Sequence, residues 1–178
     1  MKKWLLLILI ASTACSPKIV SYLNDQAPFQ TYETYRLVSA RSDSKNVTPE
    51  NTLIFDLIKE NIHQEMKERS YVQSNISPDL TLRYEVSSNT RTETNASRDL
   101  FYPIMRVNTR TIYESIILLE IKDDRKKLVW QGSFDMRQER KEKRATKAIE
   151  KAISYIFTSY PYHAMSAEPD ESLTKVKK

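Results

Sequence analysis

A single glycine, Gly132, and a single cysteine, Cys15, stand in a chain of 178 residues that also holds only two histidines and two tryptophans. Each scarcity excludes a class of function. Phosphate loops and dinucleotide turns need several glycines, for positive backbone angles and close approach to phosphate, so nucleotide-binding folds are disfavoured. One cysteine forms no internal disulfide, and His63 and His163 lack a second histidine or cysteine at ligand spacing, so a metal site has no converging ligands. No serine sits in a Gly-x-Ser-x-Gly elbow. The carboxylates of Asp123 and Asp124 are neighbours in a turn, where they point apart beside Arg125, Lys126 and Lys127. The expectation is therefore a non-enzyme with no catalytic, cofactor-binding or metal residues and no cofactor.

Long hydrophobic runs are missing as well. Trp4 to Ile10 is too short to span a bilayer, which takes about 20 apolar residues. With Lys2 and Lys3 before it and Ala11-Ser12-Thr13-Ala14 after it, the run has the three regions of an export signal. Cys15 follows at once, and Ser12-Thr13-Ala14-Cys15 resembles the lipobox of bacterial lipoproteins, with serine where leucine is commonest. Residues 1–14 are thus expected to be a lipoprotein signal peptide and Cys15 the lipidated first residue of the mature chain. Several acyl chains anchor far more firmly than one, which binds only marginally. Ser16, Pro17 and Lys18 include no aspartate and no acidic cluster, which favours the periplasmic face of the outer membrane.

There are 28 basic against 23 acidic side chains. Loss of Lys2 and Lys3 with the leader reduces the surplus, and the remaining charges are interspersed rather than gathered on one face, so no nucleic-acid partner is expected. The mature length fits one domain able to bury a core without disulfides.

Residues 15–30, with Pro17 and Pro28, read as a tether or spacer. From Thr31 to Val38 the chain is rich in tyrosine and β-branched residues and reads as a strand. Thr48-Pro49-Glu50 starts a helix, whose Ile54, Ile58, Ile62 and Met66 form an apolar stripe ending near Ser70. After Pro78, Leu80, Leu82, Tyr84 and Val86 alternate with polar residues, the pattern of a strand with one wet face. Residues 88–110, mostly Asn, Thr, Ser and Arg but interrupted by Leu100-Phe101-Tyr102-Pro103-Ile104-Met105, read as an elaborated loop or ragged edge hairpin. A loop so long is unusual and often functional. Thr111 to Ile121 is the most apolar strand and pairs across a short polar turn with Leu128 to Met136. Ala145 to Tyr160 is a second helix with a periodic apolar face, stopped by Pro161, and residues 162–178 read as a flexible tail.

In that order four local signatures recur: Tyr32-Glu33-Thr34-Tyr35, Ser77-Pro78-Asp79-Leu80 with Tyr84, Lys127-Leu128-Val129-Trp130-Gln131-Gly132, and Ala152-Ile153 with Tyr160-Pro161. Over residues 31–161 the chain resembles the bacterial lipoprotein domain called domain of unknown function 4136. The resemblance implies an exported, usually lipidated α+β domain with no catalytic residues to transfer. Many relatives carry glycine where this chain has Ser70 before Tyr71, so the resemblance leads one to expect a different cap at the end of the first helix. Independently of the family, Trp130 supplies a large buried surface, and Gly132 on the same face leaves room for a helix or allows a bulge.

The expected fold is α+β: an antiparallel sheet of about four strands with two amphipathic helices on one face, in the order β-α-β-β-β-α. The expected role is an outer-membrane lipoprotein on the periplasmic side, held by a lipid anchor at Cys15, whose open sheet face or 88–110 segment meets another envelope protein. The alternative is a carrier that holds a lipid or other amphiphile between helices and sheet.

Overall fold

The structure, a computed structural model, describes residues 19–40, 49–98, 105–138 and 142–175. Residues 1–14, expected to be a signal peptide, and Cys15 lie outside the described residues. The elements run β1 (Ile19–Leu23), a 3₁₀ turn (Phe29–Thr31), β2 (Thr34–Ser39), α1 (Pro49–Glu68), β3 (Val72–Gln73), β4 (Leu80–Arg98), β5 (Met105–Asp123), β6 (Leu128–Gln138), α2 (Glu142–Phe157) and a second 3₁₀ turn (Glu171–Thr174). They build one six-stranded sheet in the order β1-β6-β5-β4-β2-β3.

The α+β class and the two helices are as expected, but the sheet is larger and is mixed. The β1, β6, β5 and β4 strands pair antiparallel in turn. The β2 strand pairs parallel with both β4 and β3. Two residues after α1 is enough for β3, because Val72 donates to the Glu33 carbonyl (3.0 Å) and Ser74 to that of Tyr35 (2.9 Å). The stretch expected to be a spacer contains β1, whose residues from Ile19 to Leu23 lie opposite Phe134 to Trp130. Its backbone completes the ladder of β6, an edge that would otherwise stand unpaired.

Alternation places Leu80, Leu82 and Tyr84 of β4, Ile117, Leu119 and Ile121 of β5, and Trp130 of β6 in one core with Ile58, Ile62 and Met66 of α1 and Ile149, Ile153, Ile156 and Phe157 of α2. Both helices therefore cover the same face. Gly132 has an ordinary backbone; its need is space. A Cβ built there would lie 2.6 Å from Cγ2 of Ile156 and 2.7 Å from Cζ2 of Trp130, so α2 sits against bare backbone. The ladder irregularity falls elsewhere, between Ile121 and Lys122.

The C-terminal stretch, expected to be a flexible tail, packs onto the body as far as Asp170. Tyr162 is buried and stacks on Phe29, ring centroids 3.6 Å apart and planes 3° from parallel. Ala164 donates to the Arg69 carbonyl (2.8 Å) and Met165 to that of Tyr32 (2.9 Å), which ties the segment to the end of α1 and the start of β2.

Candidate functional site

The family signatures meet one another in space. Asp79 Oδ2 accepts from the backbone N–H of Glu33 (3.0 Å) and Thr34 (2.8 Å) and from the Thr34 hydroxyl (2.7 Å), while Thr34 Oγ1 accepts from the Asp79 N–H (3.1 Å). Burial pushes the Asp79 carboxyl up, but these hydrogen bonds outweigh it and leave the pKa below the usual carboxylate value. Trp130 Nε1 donates to the carbonyl and hydroxyl of Ser159, each at 3.1 Å, and its ring lies between Phe157 and Tyr160. The signatures thus hold the fold.

Sequence reasoning missed a buried ion pair at the end of α1. Arg69, 2 % exposed, donates to Glu65 Oε2 (2.6 Å), to the Glu65 carbonyl (3.0 Å), and to the Phe157 (2.9 Å) and Tyr160 (3.0 Å) carbonyls beyond the last turn of α2. One guanidinium therefore satisfies carbonyls that α2 leaves without intrahelical partners. Beside it the hydroxyls of Tyr71 and Tyr160 share a 2.8 Å hydrogen bond. The spacing of Glu65 and Arg69 is a pairing signal; their burial depends on α2.

The two histidines fall apart from one another in role. His63 Nδ1 shares a hydrogen bond of 2.6 Å with the Tyr35 hydroxyl, and its pKa is lowered by burial and then by Lys59. His163 Nε2 lies 3.0 Å from Asp170. Among the described residues, no group of three His, Cys, Asp or Glu side chains is placed to hold a metal ion.

At the end of the sheet opposite the long hairpin, Tyr32, Asp79, Asp123, Asp124, Arg125 and Lys127 line a polar cleft of about 390 Å³. Asp123 is engaged in its turn, accepting from the Lys127 N–H at 2.7 Å, and Lys126 takes a positive φ of 63°. Burial, followed by Asp123 and Asp124, pushes the Tyr32 hydroxyl up to about 12, so it stays protonated at neutral pH. With Asp79 committed to the β2 backbone, the cleft is a mixed-charge recess rather than a paired acid and base.

Among the described residues two surfaces are open to contact over several strands. One is the sheet face without helices, where Val20, Tyr22 and Ile116 are 60 %, 51 % and 47 % exposed. Toward β2 its charges neutralise one another: Arg83 pairs with Glu85 and Glu120, and Lys122 with Glu120. The other is the segment expected to be a loop. It is a continuous antiparallel hairpin, paired from Leu80 opposite Asp123 to Arg98 opposite Met105, with 99–104 outside the described residues. Beyond Tyr113, the last β5 residue opposite β6, only β4 and β5 pair among the described residues, and the ribbon runs about a further 25 Å. Threonine recurs along it, at 90, 92, 94, 109 and 111, and suits strands by its β-branch.

The layer where a carrier would need its cavity is filled. Trp130, Ile153, Ile156, Phe157 and Tyr160 are all fully buried between α2 and the sheet, with no space for a Cβ at Gly132. Among the described residues no helix is long and apolar enough to cross a membrane.

Among solved structures, a PDZ domain protein from Parabacteroides distasonis is similar over 82 % of this chain at 12 % identity and a TM-score of 0.54; this chain spans 36 % of that one. That likeness concerns fold alone. PelC from Paraburkholderia phytofirmans, a dodecamer, has 12 % identity and a TM-score of 0.43, covering 83 % of this chain and 99 % of its own. A minor lipoprotein from Acinetobacter baumannii has 9 % identity and a TM-score of 0.38, covering 68 % and 84 %. No curated protein matches the sequence. The model of the family described as domain of unknown function (DUF4136) matches residues 19–162, and the chain belongs to that family.

Proposed function

We propose that this protein is a non-enzymatic envelope lipoprotein, anchored by acylated Cys15 to the periplasmic face of the outer membrane, which engages another envelope protein through the β4–β5 ribbon. The observation that carries the reading is the ribbon itself. A two-stranded hairpin is marginal in water, and this one extends beyond every other strand with both edges open among the described residues. A second protein adding a strand to either edge would complete its hydrogen bonds. The carrier reading requires apolar space between helices and sheet, which the packing around Trp130 and Ile156 opposes.

The test is crosslinking in intact cells with a photoreactive residue at Thr94, which is exposed. The expected result is one recurrent adduct to a distinct protein, lost when Cys15→Ala releases the chain from the membrane. No adduct at Thr94 from protein that is acylated and folded would sink the ribbon as a contact surface. Stoichiometric lipid extracted from the purified domain would revive the carrier.

A further inference from the structure

We infer that the domain lies along the membrane, with the helix-free sheet face near β1 seated on the lipid headgroups and the ribbon running over the bilayer surface rather than into or away from it. This deepens the proposed function and rests on acylation of Cys15.

Chain lengths limit how the domain can stand on the membrane. Only three residues lie between Cys15 and Ile19, four residue steps, so the start of β1 sits within about 14 Å of the lipidated residue whatever path the chain takes. Ile19 is level with Phe134, Ile117 and Val86 across the sheet. From that line the ribbon continues twelve residues to Arg98, about 40 Å. In the other direction β5 continues six residues to Asp123, about 20 Å, with the turn to Lys127 beyond it.

Neither upright orientation fits. With the ribbon pointing at the membrane, its outer part would pass roughly 25 Å below the anchor level, close to the whole hydrocarbon thickness. Lipid-exposed sheet edges do not occur there, because unpaired backbone groups find no partner. The ribbon sequence also carries Arg91, Glu93, Arg106 and Arg110. With the ribbon pointing away, the tether would have to reach about 20 Å past the far end of the sheet, further than its span. Strands close to the membrane plane satisfy both limits.

The sheet face decides which side is down. Val20 and Tyr22 lie on β1, directly after the tether, and Ile116 lies two strands away on the same face. A tyrosine beside apolar side chains suits the headgroup level, where its ring is buried and its hydroxyl wet. On the helix-covered face most described apolar residues are in the core, and Leu53 of α1 is exposed alone on its helix.

Fluorescence from acylated full-length protein in vesicles of phosphatidylethanolamine and phosphatidylglycerol tests this. The reporter is Tyr22→Trp, with Val20→Trp as a second variant should the first misfold. Trp130 is fully buried, and Trp4 lies in the leader. Lipids brominated near the headgroup are expected to quench the position 22 reporter at least twofold more than Glu150→Trp, an exposed position on α2. Equal quenching at 22 and 150 in acylated, vesicle-bound protein would overturn the orientation alone. An unmodified Cys15 by mass spectrometry would overturn the orientation together with the anchor. Crosslinks between position 22 residues of two chains, without quenching, would assign the face to a second copy instead.

Discussion

Gly132→Ala is predicted to destabilise the protein, against the direction that backbone entropy alone would give. A glycine in a strand loses more freedom on folding than alanine, so an unstrained replacement gains roughly 0.5–1 kcal/mol. The added methyl would gain about 0.8 kcal/mol from burial. Here it would meet Cγ2 of Ile156 at 2.6 Å and Cζ2 of Trp130 at 2.7 Å, well inside the ordinary carbon separation of about 3.5–4.0 Å. Neither neighbour gives way easily. Ile156 is fully buried on α2, and the Trp130 ring is held by Ser159 and by Phe157 and Tyr160. Overpacking costs about 1–3 kcal/mol, and two rigid neighbours at 2.6 and 2.7 Å put this site at the upper limit, so about 1–2 kcal/mol of net loss remains after the favourable terms. Urea unfolding followed by circular dichroism should show a lower midpoint at unchanged slope. Ile156→Leu removes the β-branch that meets the new methyl, so in the double variant part of the loss should return as a coupling of at least ~0.5 kcal/mol. A midpoint equal to or above wild type for the single variant would refute the claim that α2 requires bare backbone at this position.

The other predictions concern the ends of α1 and β4. Ser70 takes a left-handed φ of 64°, with Tyr71 donating to the Met66 carbonyl (3.0 Å) and Ser70 to that of Lys67 (2.9 Å). This is the geometry that usually takes glycine, so Ser70→Gly should raise the thermal midpoint, by up to about 1 kcal/mol of stability. Arg69→Met takes the guanidinium from the buried Glu65 carboxylate and the side-chain donor from the Tyr160 carbonyl, a loss of about 3–5 kcal/mol by denaturant titration. Glu65→Gln keeps the carbonyl partners and should lose less. The lowered pKa of Asp79 means the folded state favours its carboxylate, so that stability is present above the unfolded value of 3.8 and is lost as pH falls through the lower folded value. Asp79→Asn should be less stable at pH 7 and show a shallower stability slope below about pH 4 than wild type; equal slopes would contradict the assignment.

Elements with a buried and a wet side were legible in the sequence. The stripe from Ile54 to Met66 and the alternation from Leu80 to Val86 lie where their periods place them, and the space left by Gly132 is taken by α2. The elements that went unread lack that contrast. In β1 the three central residues are all exposed, so no alternation marks it, and its strand state comes from β6 beside it. The polar composition of the ribbon resembles a loop. The parallel pairing of β2 with β4 arises because α1 carries the chain across and back, information that hydrophobic period does not hold. The burial of Arg69 rests on Phe157 and Tyr160, 88 and 91 residues further along, which no local pattern marks.

The sheet treats its edges unequally, and that inequality is the strongest reason to look for a partner on the ribbon. An open edge is a template for unwanted pairing, which proteins limit with short edge strands. Here β1 has five residues and β3 two, so the body presents little edge on either side. The ribbon, by contrast, carries its open edges for about 25 Å past the last strand that flanks it. A fold that shortens edges in its body has no evident packing reason to extend a hairpin, since among the described residues the core around Trp130 is built without the ribbon. Shortening the hairpin by joining Asn89 to Glu114 through a two-residue turn should therefore leave folding stability nearly unchanged while abolishing co-purification of the partner that the Thr94 crosslink identifies in the full-length chain. A large loss of stability on that deletion would mean that the ribbon serves the body and would remove the argument for a partner.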